Sequence, residues 1–215
     1  LVADMQNGII EALITACEFK TLENADHMRR LGRITQIILD GTDFDESLTH
    51  EQVKLIALAA TVHDIGKVAI PNHILEKPGE LTPEEYDVIK THTVKGAELL
   101  SDVEQLRRLP IYPYATDIAR HHHERWDGHG YPDGLVGDEI TPWAQVVSVA
   151  DVYDALRSKR CYHEAFDAET AWRMICDGKC GTFNPLLLDA FLTVEREVAQ
   201  IYDATIDIDA SELLL

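Results

Sequence analysis

Ten histidines are spread through this 215-residue chain, and three of them are consecutive: His121, His122 and His123. Neutral imidazole is the commonest side-chain ligand for borderline metals near pH 7. The run continues Glu124-Arg125-Trp126-Asp127-Gly128-His129-Gly130-Tyr131-Pro132, whose glycines and proline stop a helix and turn the chain. A histidine-rich helix end beside a rigid turn reads as a metal site with a shaped rim. The competing reading is a solvated run held at a helix C-terminus by the dipole. The other histidines and carboxylates decide between them.

Candidate donors come from four further places. Glu23 and His27 stand at i and i+4 and face one point if their turn is helical. His63 and Asp64 close an apolar helix, where burial costs solvation unless something pairs with them. Lys67 lies one turn on. His92 joins two helical stretches. Asp151 follows Ala150 in the most apolar segment of the chain, and a buried carboxylate wants a cation. Asp154, three residues on, reads as an ordinary helix-surface acid. The set becomes Glu23, His27, His63, Asp64, His92, His122, His123 and Asp151. Nitrogen and oxygen donors without thiolate suit iron, manganese, zinc or nickel over a structural zinc. So many donors exceed the needs of one ion. Two or three metals bridged by a carboxylate such as Asp64 is the natural accounting, and such neighbours typify phosphoester hydrolysis. The chain has no Walker P-loop and no G-x-S-x-G elbow.

The elements that must position these donors are all helical in pattern. Apolar residues recur at three and four over 2–20, 26–39, 50–63, 115–126, 143–156, 168–176 and 185–198. Thr82 and Glu85 form a capping-box pattern opening a helix towards His92. Residues 68–83 and 133–142, rich in proline or glycine, read as loops covering the site. No β pattern or repeat stands out, so the expected fold is a single all-α bundle. With hydrophobic content of 46% and no long apolar run, no membrane span is expected. The net charge of −19, from 38 acidic and 19 basic residues, disfavours nucleic-acid duplexes and anionic membranes. It also repels a phosphate substrate, so local cations must overcome the field, and bound metals are the strongest candidates. Arg157, Lys159 and Arg160 form the only dense basic cluster downstream. Cys17, Cys161, Cys176 and Cys180 read as cytosolic thiols.

His63-Asp64-Ile65-Gly66-Lys67, together with His122-His123-Glu124-Arg125-Trp126-Asp127-Gly128-x-Gly130-Tyr131-Pro132, resembles the HD-GYP family, a branch of the HD-domain metal phosphohydrolases. The Glu-x-x-x-His of Glu23 and His27, the interval to His92 and the run from Val149 to Leu156 match as well. The resemblance spans about Thr21 to Tyr202. It implies an HD-domain helical bundle with long loops over the metal centre, two or three divalent metals with iron first and manganese second, and hydrolysis of cyclic di-GMP to the linear dinucleotide or on to GMP. Carried over by position, the eight donors above match metal ligands, with Asp64 central to catalysis and Glu23 marking members that hold a third ion. Lys67 matches a lysine that contacts phosphate or assists proton transfer, and Arg160 a phosphate-binding arginine. His121 falls outside the ligand set. Gly130-Tyr131-Pro132 is linked in the family to contacts with diguanylate cyclase domains.

The resemblance places a catalytic domain at 21–202; the helix at 1–20 reads either as core or as a connecting helix from an upstream domain, and 203–215 as a tail. It implies a cytoplasmic setting, with a homodimer allowed. A receiver or sensor domain is expected upstream, in keeping with a chain that opens without methionine. Two departures stand out. Cys161-Tyr162-His163 replaces the usual Pro-Tyr-Lys after the arginine, and Asn184-Pro185 replaces Asp-Pro. They bear on substrate affinity and choice of cyclic dinucleotide. Two other readings compete: a one-metal HD nucleotidase, and a non-catalytic module that binds a cyclic dinucleotide or a partner.

Overall fold

The computed structural model describes residues 2–20, 25–159 and 164–203. Among them the regular structure is helical, and β pairing is limited to isolated bridges at Asp127–Val136 and Lys179–Gly181. The helices are α1 (Val2–Lys20), α2 (Ala25–Gly41), α3 (His50–Ala60), α4 (Asn72–Leu75), α5 (Pro83–Lys90), α6 (His92–Asp102), α7 (Tyr112–His121), α8 (Pro142–Arg157), α9 (Ala168–Cys176) and α10 (Pro185–Asp203). No helix among the described residues is long and apolar enough to cross a membrane.

Local chemistry sets where the helices begin. The Thr49 hydroxyl accepts the Gln52 N–H, and the Gln52 side chain accepts the Thr49 N–H in return. Thr82 and Glu85 repeat this box at α5, as the sequence predicts. Thr141 caps α8 with Pro142 in its first turn, where a missing N–H costs nothing.

Helix α8 is the axis of the bundle. Its buried residues run through nearly every register position, from Ala144 to Leu156. A helix apolar on most sides belongs at the centre of a core. Helices α2, α7, α9 and α10 pack against it, and α3 is buried between α2 and α7. The α2–α3 crossing is tight because Gly32 has no side chain: a Cβ there would stand 2.8 Å from the Ala57 carbonyl oxygen. Helix α1 adds Ile10 and Cys17 to the same core and packs against the 3-10 turn Ile65–Ala69.

The boundaries differ from the sequence pattern in places that matter. Helix α3 stops at Ala60, so His63 and Asp64 lie on the turn beyond it. Gly66 explains the arrangement, since a Cβ there would fall 1.8 Å from the His92 carbonyl oxygen and 2.5 Å from the Gly96 nitrogen. Two backbones meet at that point, and only glycine permits it. The predicted loop over 68–83 contains the short α4. Helix α7 begins earlier than expected, at Tyr112, and ends at His121 instead of running on to Trp126.

Candidate metal centre

The bundle brings together donors that lie far apart in the chain. His27 comes from the first turns of α2, His63 and Asp64 from the turn after α3, and His92 from the start of α6. His122 and His123 come from the turn just past α7, and Asp151 from the middle of α8. Ligand-capable atoms of Asp64, His92, His122 and His123 lie within 4.8 Å of one another, as do those of His27, His63 and Asp64. Asp64 belongs to both groups. Asp151 completes the second one, with Oδ1 at 3.7 Å from His27 Nε2 and 3.9 Å from His63 Nε2. Glu23 and Arg160 lie outside the described residues.

Four of the five imidazoles are oriented by the bond that Nδ1 makes. His63 Nδ1 donates to the Ala60 carbonyl at 2.9 Å, His92 Nδ1 to Ile89 at 2.7 Å and His122 Nδ1 to Ile118 at 2.8 Å. His27 Nδ1 meets the Asp154 carboxylate at 2.6 Å. Carbonyl and carboxylate oxygens only accept, so Nδ1 carries a proton, and in the neutral ring Nε2 presents its lone pair to the centre.

These inward atoms then face one another as acceptors. His63 Nε2 is 3.1 Å from Asp64 Oδ2, His92 Nε2 is 3.1 Å from Asp64 Oδ1, and His92 Nε2 is 3.3 Å from His122 Nε2. With the rings neutral, His27 Nε2, His63 Nε2 and Asp64 Oδ1 are buried with no hydrogen-bond partner. An unmatched buried acceptor costs about 1–3 kcal/mol. Several converging on one point call for a cation, so the donor set fits metal ions.

The electrostatics agree. Burial pulls the His63 imidazolium down, but the Asp64 charge and hydrogen bond, with Asp151, raise it to about 9 in the metal-free chain. Burial would raise Asp64, yet Lys67 and His63 hold it well below the usual carboxylate range. Lys67 Nζ lies 2.6 Å from Asp64 Oδ2. Burial drives His122 down to about 4 and His123 well below an ordinary histidine. The cluster thus takes up a proton beside Asp64 and keeps neutral imidazoles at the triple-histidine end.

Two acids matter in ways that sequence reasoning missed. Asp154 is a fully buried hub and not a helix-surface acid. It accepts from His27, from Arg30 Nε at 2.6 Å and from the Tyr202 hydroxyl at 2.6 Å, which joins α2, α8 and α10. Its i+3 spacing from Asp151 on an apolar helix is the one available signal. Glu124, 2% exposed, accepts backbone N–H bonds from Asp133 at 2.7 Å, Gly134 at 3.1 Å and Leu135 at 3.1 Å. It folds the Gly-Tyr-Pro segment back onto the end of α7. Gly130 makes this possible, because a Cβ there would lie 2.4 Å from the Glu124 Cα. Tyr131 then stacks on His123, with centroids 4.7 Å apart and planes at 30°. His121 points away from the donors, between Asp117 at 2.7 Å and Asp133 at 3.0 Å. Of the two departures noted above, Asn184 is structural: it donates to Gln145 at 2.9 Å and accepts the Leu186 N–H at 3.0 Å. His163 lies outside the described residues.

Comparison with known proteins places this geometry. Residues 23–182 match the model of a family described as HD domain. A cyclic di-GMP phosphodiesterase of Thermotoga maritima is 38% identical over 203 residues, covering 94% of this chain and 53% of that protein. A probable cyclic di-GMP phosphodiesterase of Vibrio cholerae is 37% identical, covering 92% of this chain and 46% of that protein. A 3'3'-cGAMP-specific phosphodiesterase of Vibrio cholerae is 34% identical over 86% of this chain. The chain thus spans about half the length of the first two relatives. Among solved structures, an HDG"Y"P protein from Bdellovibrio bacteriovorus shares the fold, with a TM-score of 0.57 and 20% identity over 86% of this chain and 53% of that one. With the His-Asp pair on the turn after α3 and the Gly-Tyr-Pro segment folded over the triple histidine, the chain belongs to the HD domain family.

Proposed function

We propose that this chain is a metal-dependent phosphodiesterase acting on a cyclic dinucleotide, cyclic di-GMP first and 3'3'-cGAMP second. The observation that carries the reading is the sharing of Asp64 between two groups of buried donors. One carboxylate common to two histidine clusters suits two adjacent cations, the arrangement used to cleave phosphodiesters in line. Relatives named for cyclic di-GMP and 3'3'-cGAMP hydrolysis support the substrate class.

The ligand set proposed is His63, Asp64, His92, His122, His123, Asp151 and His27, with Glu23 available for a third ion. Iron is the metal proposed first and manganese second. When bound, the metals would supply a nucleophile at neutral pH and charge to the phosphate oxygens. The chain's own residues do the rest. The Nδ1 bonds fix four imidazole rings, so the donors need no reorganisation. Lys67, held beside Asp64, brings positive charge to the pocket against the acidic field of the whole chain. Arg160 adds a second cation for phosphate. Residues 21–202 are proposed as the catalytic unit, with α1 leading into it and a cytoplasmic setting. Contacts of the Gly-Tyr-Pro segment with diguanylate cyclase domains and an upstream sensor domain belong to the same proposal.

The test is incubation of anaerobically purified, iron-replete protein with cyclic di-GMP, with products resolved by chromatography and metals counted by elemental analysis. The wild-type chain is expected to hold at least two ions and to release linear dinucleotide or GMP. Asp64→Ala is expected to lose both metal and turnover. A chain that binds cyclic di-GMP and yields no product would be a sensor module instead.

A further inference from the structure

Helix α7 stops at His121, so the donors His122 and His123 stand on a turn that no helical ladder holds. Carbonyls at a helix end need hydrogen-bond donors from elsewhere. Arg125 supplies them. Its Nη1 donates to the Glu124 carbonyl at 2.9 Å and reaches the His122 carbonyl at 3.5 Å. Among the described residues no backbone N–H meets either oxygen. The same Nη1 donates to the Ser148 hydroxyl at 2.7 Å. Ser148 is buried on α8, three residues before Asp151, so the two share a face of that helix.

The loop after α9 holds the arginine in place. Arg125 Cζ lies 5.1 Å from the Phe183 ring centroid. Gly181, with a φ of +105°, lets the backbone close over the arginine stem: a Cβ there would stand 2.4 Å from Nε and 2.6 Å from Cδ. The Trp126 N–H donates to the Thr182 carbonyl at 2.9 Å, which pins the next residue to the same loop. Among the described residues Arg125 bonds to carbonyl and hydroxyl oxygens and to no carboxylate. A half-buried cation that forgoes a counter-ion is placed for its shape. One nitrogen of the planar fork gives its two N–H groups to two elements, and the flat face rests on an aromatic ring.

We propose that Arg125 is a positioning residue for the metal centre: it ties the turn bearing His122 and His123 to α8 and so sets the span between the two donor groups. The first group, Asp64, His92, His122 and His123, takes two donors from that turn. The second, His27, His63 and Asp64, is completed by Asp151 on α8. Arg125 bonds to the supports of both groups and to none of the ligand atoms. The inference rests on the two-cation reading above and adds the residue that spaces the cations. Ions that act together on one phosphate must stand at a fixed short separation. A turn free to drift from α8 loses it.

The experiment loads metal-free wild type, Ser148→Ala, Arg125→Lys and the double variant with Mn²⁺. Calorimetry reads binding, and electron paramagnetic resonance reads the magnetic coupling of neighbouring Mn²⁺ ions. Wild type is expected to bind at least two ions and to give a coupled spectrum. Ser148→Ala removes one hydroxyl, and Arg125→Lys keeps the charge without the fork. Each is expected to weaken the second Mn²⁺ about 10- to 100-fold and to replace coupled signal with that of isolated ions. The double variant should be no worse than Arg125→Lys, since both changes cut one bond. Asn184→Ala is the control: it breaks the bond to Gln145 and leaves those of Arg125 in place. It should unfold at lower urea and keep the coupled spectrum. Wild-type coupling and affinity in Ser148→Ala and Arg125→Lys would overturn the tether alone, as would equal losses in Asn184→Ala. A wild-type chain that binds a single ion would overturn the two-cation reading and the tether with it.

Discussion

His27 Nδ1 stands 2.6 Å from Oδ2 of Asp154, a carboxylate with no exposed surface. Burial would raise the Asp154 acid, but its bonds to His27 and Arg30 hold it below the usual range, so it stays ionised. An ionised partner fixes the His27 tautomer and makes Nε2 a better donor. Asp154→Asn keeps the shape and removes the charge. It is expected to weaken metal binding about 10- to 100-fold. It should also destabilise the fold by roughly 3 kcal/mol, because Arg30 loses its counter-charge. Calorimetric metal titration and urea unfolding read these two losses separately. Wild-type metal affinity in Asp154→Asn would mean that His27 needs no such support.

Metal binding should release a proton from His63. With the metal-free group raised to about 9, most of it is protonated on Nε2 at pH 7, and a cation must displace that proton. The sign follows: affinity climbs as pH rises towards 9 and levels off beyond it. His122, pushed down to about 4, is already neutral at pH 7 and releases nothing. Titrating Mn²⁺ by calorimetry at pH 7 in buffers of different ionisation heat should give apparent enthalpies that differ by the buffer term. Identical enthalpies would show that no proton leaves.

The donors are legible in the chain because imidazoles and carboxylates gather at the ends of apolar helices, where burial without a partner is costly. Two motifs, around His63-Asp64 and His122-His123, say which donors belong together. The all-α architecture is legible from periodicity and caps, and Thr49, Thr82 and Thr141 cap the helices they precede. What escapes is whatever depends on how helices cross. Asp154 looks solvent-facing until α2 and α10 bring Arg30 and Tyr202 to it. The end of α7 escapes for a similar reason. Helical pattern continues to Trp126, but Glu124 must turn to meet three N–H groups from residues 133–135, and a helix could not present it there.

Glu124 should therefore matter for the loop and not as a metal donor. Glu124→Ala removes one acceptor from three backbone N–H groups, and bonds to a charged group are worth about 1.5–3 kcal/mol. A loss of roughly 3 kcal/mol in urea unfolding is expected, with faster proteolytic cutting around Gly134. Gly130→Ala should damage the same contact, since its Cβ would press on the Arg125 and Glu124 backbone at 2.3 and 2.4 Å. Normal stability in both variants would mean that the segment is held by other contacts.

His121 gives the fold a pH dependence that can be separated from the metal donors. Burial lowers this imidazolium, but Asp117 and Asp133 outweigh burial and raise it. Both carboxylates also have other partners. Thr141 and Trp143 donate to Asp117 at 2.5 and 2.6 Å, and Arg120 grips Asp133 at 2.6 and 2.8 Å. The anions therefore persist whatever His121 does. A raised folded value means the protonated form stabilises the native state. That contribution is fully present below the unfolded value near 6.5 and is lost as pH rises through the higher folded value. Thermal melts of the metal-free chain from pH 6 to 9 should show stability falling over this window. His121→Gln fills similar space and cannot titrate, so the difference between the two melting curves should narrow as pH rises. A constant difference across that range would mean that His121 contributes through packing alone.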